Sequence, residues 1–376
     1  KPLKVAGLFT GIGGFEIGMS RAGLEASLFC EIEPAARAVL SHHFPRTPLA
    51  EDIRELPALP KGIDLVAAGF PCQNLSSSGL KDGITGSQSS LVSEVFRLLK
   101  ERPVEWVLIE NVHFMLHLNK GAGIRVIVDN LERLGYSWAY RVLDTNSFGL
   151  PQRRRRVFVL ASLHHDPREV LLAEDACKEN PDVPAIDRPI GFYWTEGTYA
   201  TGLAANSIPP LKGGSALGIP SPPAIMMPDG LVGTPDIRDA ERFQGFDADW
   251  TLPAAEGRRN SIRWRLVGNA VSVNVAEWLG RKLAAPQLYD DSKDEPVTGG
   301  SWPMAAWNIG TGRFASNAST APVLRRGQGL DEFLLHPLKP LSEKATKGFL
   351  ARARKGNLWF PDGFLNRLDQ HLARYA

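Results

Sequence analysis

Cysteine is scarce in this sequence: Cys30, Cys72 and Cys177 are the three among 376 residues, and no two form a C-x-x-C pair. That spacing argues against a zinc site built on paired cysteines and against a disulfide framework. A sparse, odd set of thiols suits a reducing cytoplasm, where one of them can serve as a nucleophile. A large excess of charge of one sign is missing too. The formal net charge is +2, so any surface that attracts nucleic acid has to be local. No stretch approaches the ~18 uninterrupted apolar residues of a membrane span, and no signal peptide opens the chain. Lys1 stands where a methionine would begin a protein, which suggests a numbering that starts inside a longer polypeptide. A soluble cytoplasmic protein is expected, and no internal repeat is visible.

What is present is ordinary globular composition, with 43% hydrophobic and 22% charged residues. The length suggests roughly one and a half to three domains. Apolar runs alternate with amphipathic stretches over residues 1–163, which predicts an α/β domain around a mostly parallel sheet. Strands are expected at Leu3–Phe9, Leu24–Cys30, Asp64–Ala68, Val104–Ile109, Ser137–Leu143 and Arg156–Ala161. Between them, helices are expected up to about Ala22 and at Pro34–His42, Leu91–Lys100 and Ile124–Leu134. Residues 164–236 are rich in Pro, Gly and Ser, and read as a small irregular domain. Residues 237–285 return to helical patterning and rejoin the first domain. The remaining segment, 286–376, carries too many aromatics for a solvated linker and reads as a folded extension of unassigned role. A helical appendage on the first domain is the expectation for it, with an added substrate-contacting element as the alternative.

Three stretches carry chemistry. Phe9-Thr10-Gly11-Ile12-Gly13-Gly14 falls between a strand and a helix, where glycines let the backbone approach a ligand at the sheet's carboxyl edge. Glu31, with Glu33 close by, follows the next strand and is placed to accept ribose hydroxyls. Asp52-Ile53 follows a further turn, where a carboxylate and an apolar side chain suit an adenine edge. A tight turn that binds nothing, or a dinucleotide site, would share this turn. It is not G-x-G-x-x-G, and a ligand without pyrophosphate fits its shorter spacing better.

Gly69-Phe-Pro-Cys-Gln-Asn74 puts Cys72 at the same carboxyl edge, behind a proline that fixes the backbone. A lone cysteine is more often a small core hydrophobe, but a polar strand-end turn would expose this one. Glu110-Asn111-Val112 ends a strongly apolar strand, so the Glu110 carboxyl should be partly desolvated, with its pKa raised toward neutrality. A turn cap is the structural reading of the same residues. Gln152–Phe158 leads four arginines into another strand, and alternation predicts Arg154 and Arg156 on one face. A solvated basic run is the competing reading.

Together with Arg238–Phe246 and Gly268–Val275, these stretches resemble the ordered motifs of DNA cytosine-5 methyltransferases of the bacterial restriction-modification type. The resemblance implies a Rossmann-like sheet with helices on both faces, binding S-adenosylmethionine, plus a small target-recognition domain. By resemblance, Phe9, Thr10, Gly11, Gly13 and Gly14 contact the cofactor, Glu31 its ribose, Ile32 its adenine face, and Asp52 and Ile53 the adenine edge. Pro71, Leu91, Asn269 and Val271 complete that pocket. Cys72 is the nucleophile, Glu110 acts at cytosine N3, Arg156 at the carbonyl oxygen, and Arg154 supports it. The polar stretch Gln73–Ser90 resembles the loop that closes over DNA, and residues 165–236 the region that reads the major groove. Arg258, Arg259, Arg263 and Arg265 form a second basic cluster, suited to phosphate or simply to solvent.

The implied partner is double-stranded DNA, bound by a monomer in the bacterial cytoplasm and associated with the nucleoid. A cognate restriction endonuclease would share the system without being physically bound, and no metal or membrane is involved. An RNA (transfer RNA) cytosine-5 methyltransferase of the same architecture is the first alternative. A nicotinamide-dependent oxidoreductase would explain the glycine turn but leave Cys72, Glu110 and the arginines without a joint role. A catalytically silent DNA-binding module would have no need of all three.

Overall fold

Strand and helix alternate along the first 162 residues, as the spacing of apolar runs requires. A computed structural model describes residues 1–70, 91–176, 182–213 and 220–376. The chain runs through β1 (Lys4–Leu8), α1 (Gly14–Arg21), β2 (Glu25–Cys30), α2 (Pro34–His43), β3 (Leu49–Ala50), β4 (Leu65–Ala68), α3 (Leu91–Glu101), β5 (Trp106–Val112), α4 (Ala122–Arg133), β6 (Ser137–Asp144), β7 (Arg155–Ser162) and α5 (Pro167–Leu171). It continues through β8 (Ile190–Phe192), β9 (Ala204–Ala205), β10 (Ala224–Met226), β11 (Val232–Thr234), α6 (Ile237–Phe243), α7 (Ser261–Asn269) and α8 (Val273–Ala284). The last elements are β12 (Glu295–Pro296), β13 (Ala305–Asn308), β14 (Phe314–Ala315), α9 (Leu330–Phe333), β15 (Lys339–Pro340), α10 (Glu343–Lys355) and α11 (Phe364–Ala373). Among the described residues no helix is long and apolar enough to cross a membrane.

These elements divide between two units. The first comprises Lys1–Ser147, Arg155–Lys178 and Val271–Leu324. Its ten-stranded sheet has the order β12-β14-β13-β6-β7-β5-β4-β1-β2-β3. The strands from β3 to β5 are parallel, and β7, β6, β13, β14 and β12 add to them antiparallel. The expected parallel sheet is therefore one half of a mixed one. Strand order reverses between β1 and β4, which opens a crevice at their carboxyl ends.

Alternate residues of the strands serve opposite faces. Ala6, Leu8, Val66, Ala68, Val107, Ile109, Val157 and Val159 share a core with apolar side chains of α3 and α4. On the other face Gly7 meets α1, which packs closely on α8: a Cβ at Gly18 would fall 2.6 Å from that of Ala276.

The second unit comprises Phe148–Arg154, Glu179–Ala270 and Arg325–Ala376. Its five-stranded sheet runs β15-β11-β10-β8-β9. Strands of two or three residues cannot bury a face by themselves, and α10 and α11 cover this one. Phe349 and Phe364 lie 5.1 and 5.2 Å from Phe192, ring centre to ring centre. The segments read from sequence part differently here. Residues 237–270 fall in the second unit, while the tail divides: β12 to β14 extend the first sheet, and β15, α10 and α11 build the second.

One member of the second basic cluster is not at the surface. Arg263 is buried and donates to Glu241 and Asp249 at 3.0 Å each and to Thr251 Oγ1 at 2.9 Å. The buried Glu241 carboxylate needs that cation. Arg258, Arg259 and Arg265 are exposed and keep the expected reach to solvent or phosphate.

Candidate active site

The site is built at the carboxyl ends of β1, β2, β4 and β5 and at the amino end of the antiparallel β7. The turn after β1 bends sharply, with left-handed backbone at Phe9 (φ 55°) and at Gly13 (φ 88°), which caps α1. Gly14 has to be glycine for a different reason: a Cβ there would stand 2.4 Å from the Val271 carbonyl oxygen. Thr10 holds the turn to β2, donating from Oγ1 to the Gly7 carbonyl at 2.9 Å and accepting from the Cys30 N–H at 3.3 Å. Glu31 accepts from the Gly11 N–H at 2.7 Å and from the Glu33 N–H at 2.8 Å. Burial pushes its carboxyl above the usual range, and those two donors pull it back.

Beside this lies a charged pair. Glu110, near the end of β5, is buried, and Arg156 Nε on β7 stands 3.3 Å from its Oε1. The pairing of β5 with β7 sets this distance, since Arg156 lies opposite Val112 and Phe158 opposite Glu110. Asn111 turns the other way: its Nδ2 donates to the Phe70 carbonyl at 3.1 Å and its Oδ1 accepts the Val112 N–H at 2.8 Å. The backbone two residues before Cys72 is thereby tied to the strand that carries Glu110. A carboxyl next to a guanidinium can stabilise charge developing in a bound ring.

The family model of C-5 cytosine-specific DNA methylases matches residues 3–192. The Type II methyltransferase M2.BsuMI of Bacillus subtilis (strain 168) is 46% identical over 383 residues, covering 98% of each chain. The chain belongs to the C-5 cytosine-specific DNA methylase family. A second relative, the Type II methyltransferase M.NlaX of Neisseria lactamica, is 26% identical and covers 75% of this chain and 96% of its own. Among solved structures, the S. pombe Dnmt2 methyltransferase matches at a TM-score of 0.53 and 19% identity, over 74% of this chain and 97% of its own, which shows the fold. Membership of a methylase family implies use of S-adenosylmethionine.

The expected residues that the structure describes divide between the two units. Phe9, Thr10, Gly11, Gly13, Gly14, Glu31, Ile32, Asp52, Ile53, Leu91, Glu110, Arg156 and Val271 all belong to the first unit. Ile32 is 61% exposed. Ile53 instead fills the core, and Asp52 caps its own turn while binding Arg54 through Nε and Nη2, which holds its carboxyl below the usual range. Leu91 opens α3 and packs on the core. Pro71, Cys72 and the stretch Gln73–Ser90 lie outside the described residues.

Arg154 and Asn269 belong to the second unit. The expected alternation of Arg154 with Arg156 does not arise, because β7 begins at Arg155. The buried Arg154 guanidinium donates to the carbonyls of Leu211, Gly268 and Ala270 at 2.9, 3.0 and 3.0 Å. Gln152 and Gln244 join the same polar knot, bonded to each other at 3.0 Å. Three of the family's motifs thus meet there through backbone carbonyls. Asn269 is exposed beside Gly213.

The sequence reading missed Glu16. It lies on the buried face of α1, its carboxyl against Gly7, where a Cβ would fall 2.0 Å from Oε1. Both oxygens are buried without a hydrogen-bond partner among the described residues, and burial pushes the carboxyl up to about 8, with Glu31 adding to the rise. A charged residue among Phe15, Gly18 and Met19 was the available signal. Because the folded value lies above the ordinary 4.5, this group's contribution to stability is complete below about pH 4.5 and is lost as pH rises to about 8. Glu16→Gln should abolish that loss. Urea midpoints of the variant should gain on wild type between about pH 5 and pH 8, and midpoints that stay parallel would refute the burial argument.

Proposed function

We propose that this chain transfers a methyl group to carbon 5 of a cytosine flipped out of a specific duplex DNA sequence, through a covalent adduct at Cys72. The observation that carries the reading is the pair of the buried Glu110 with the partly exposed Arg156 at 3.3 Å, with Asn111 bonded to the Phe70 carbonyl at the start of the cysteine turn. The Cys72 thiolate attacks carbon 6 of the ring and breaks the 5,6 double bond, leaving carbon 5 electron-rich. Glu110 donates a proton or hydrogen bond at N3, and Arg156 holds the carbonyl oxygen, so negative charge does not build up in the ring. After methylation, loss of the carbon 5 proton to a base restores the double bond and expels the thiolate. In a duplex, stacking hides the ring face through which a side chain must reach carbon 6, so the base has to leave the stack, at a cost of about a few kcal/mol.

The residues present suit S-adenosylmethionine. Glu31 is fixed by two backbone donors and keeps lone pairs for ribose hydroxyls, and the exposed Ile32 offers an apolar surface for adenine. Close by, the unpartnered Glu16 carboxyl is a buried acceptor beneath the glycine turn. Bound there, the cofactor supplies an electrophilic methyl group. Thr10, Gly11, Gly13 and Gly14 shape the cradle, and Asp52, Leu91 and Val271 are the further first-unit residues assigned to it. Arg154 has a positioning role, and the second unit supplies target recognition. Protection of host DNA in a restriction-modification system fits the Type II names of the relatives.

The test is covalent trapping on duplex DNA containing 5-fluorocytosine, where fluorine blocks the final elimination. A cofactor-dependent protein–DNA adduct is expected from a mixture of sequences. Trapping of transfer RNA in place of DNA would transfer the assignment to RNA, and no adduct on either would end it.

A further inference from the structure

β5 does not end in an ordinary loop. After Val112 the chain makes a single 3-10 turn, His113–Leu116, then a tight bend to Gly121 that opens α4. Met115 and Leu116 enter the core, while Phe114 is left 57% exposed and Leu118 36%. The bend carries three successive left-handed residues, Asn119 (φ 49°), Lys120 (φ 56°) and Gly121 (φ 72°). That conformation is unfavourable for lysine, and strain of this kind persists only where packing dictates it. The packing is supplied by the tail. Trp302 is buried against Gly121, whose missing Cβ would fall 2.1 Å from Trp302 Cδ1, and the Tyr140 hydroxyl donates to the Pro303 carbonyl at 2.8 Å.

This rigid bend therefore holds an aromatic ring and a leucine in solvent, with the exposed cations Lys120 and Arg125 behind them. No acidic residue occurs from Asn111 to Val128. Phe114 is four residues past Glu110, so the two α-carbons are at most about 14 Å apart, or about four nucleotide steps along one strand. An exposed aromatic suits an unstacked base, and a cation suits the phosphate beside it.

We propose that the segment Phe114–Lys120, held by Trp302, contacts the DNA strand flanking the flipped cytosine, Phe114 and Leu118 against its bases and Lys120 against a phosphate. The proposal rests on the DNA reading above. It gives the tail segment 286–324 a role in substrate binding, as a support for that contact.

Duplex binding by the full chain, measured by titration across a range of salt, tests this. Phe114→Ala should weaken duplex binding about 5- to 100-fold, the range expected for loss of one base–aromatic stack, and raise the KM for DNA in parallel. Lys120→Ala should reduce the slope of log K against log salt by about 0.9, the signature of one lost phosphate contact. Trp302→Ala should reproduce part of the Phe114→Ala loss by releasing the bend. Cofactor affinity should hold in all three, and Lys61→Ala, before β4, should change neither quantity. Unchanged duplex affinity in Phe114→Ala, together with an unchanged salt slope in Lys120→Ala, would overturn the proposal. Wild-type trapping on 5-fluorocytosine DNA separates the two levels: if it succeeds while the variants bind normally, this contact alone is wrong. If it fails, the DNA reading falls and the contact with it.

Discussion

Cys72→Ser is expected to lower methyl transfer by at least ~10³-fold and to eliminate the 5-fluorocytosine adduct, because the nucleophile of the first bond is gone. A serine hydroxyl has the reach but is not ionised near neutral pH, whereas a thiol in a positive field is readily a thiolate. Cys30 is the natural control. It is buried under the glycine turn, and burial, with the charges of Glu31 and Asp52, pushes its thiol up to about 12. Cys30→Ser should keep the adduct. An adduct that survives in Cys72→Ser but not in Cys30→Ser would reverse the assignment. Cofactor affinity measured on Cys72→Ser should match wild type, since the loss belongs to chemistry on the base.

Glu110→Gln should cost about 10²- to 10⁴-fold in kcat, the range for loss of a positioned acid. The substitution is nearly isosteric. A glutamine amide oxygen can still accept from Arg156 Nε, now 3.3 Å from the carboxylate, so the strand pairing and the Asn111–Phe70 bond should persist. What disappears is the proton available at N3, and with it the relief of charge as the thiolate adds. Adduct formation should slow by a similar factor while affinity for duplex DNA stays within about threefold, a difference below ~1 kcal/mol. A kcat within about fivefold of wild type would show that Glu110 only packs.

Much of this was legible before any fold was known. The strands nearest the site are short, fully buried apolar runs bounded by turn residues, and Leu65–Ala68 and Trp106–Ile109 are 0 to 6% exposed. The helix at Ile237–Phe243 follows a side-chain cap by Asp236, a purely local signal. Glycines, cysteine, glutamate and arginine at strand ends were readable as chemistry because each such residue is costly or unusual in a plain turn.

The misses have a common cause. β13 pairs with β6, more than 160 residues earlier, and strands of two to four residues carry no period to detect. α10 presents a mostly charged sequence, and its few core residues, Phe349, Leu350 and Ala353, gain meaning only against Phe192 and its sheet. Arg263 looked like one cation of a surface run until its partner Glu241, two helical segments away, was placed beside it. Glu16 was one acid in a helix until the fold closed over it.

The sequence by itself determined which chemistry is available: the thiol, the carboxyl, the guanidinium and the glycine turn, each next to an apolar run that could only be a buried strand. That follows because strand and turn formation are decided by neighbours within a few residues. The tertiary structure decided the rest. It set Arg156 against Glu110 through strand pairing, gave Arg154 to the second unit's carbonyls, divided the tail between two sheets, and fixed the bend at Phe114 on Trp302. Contacts of that kind depend on segments distant in the chain finding each other's apolar faces, and a local pattern does not encode its partner.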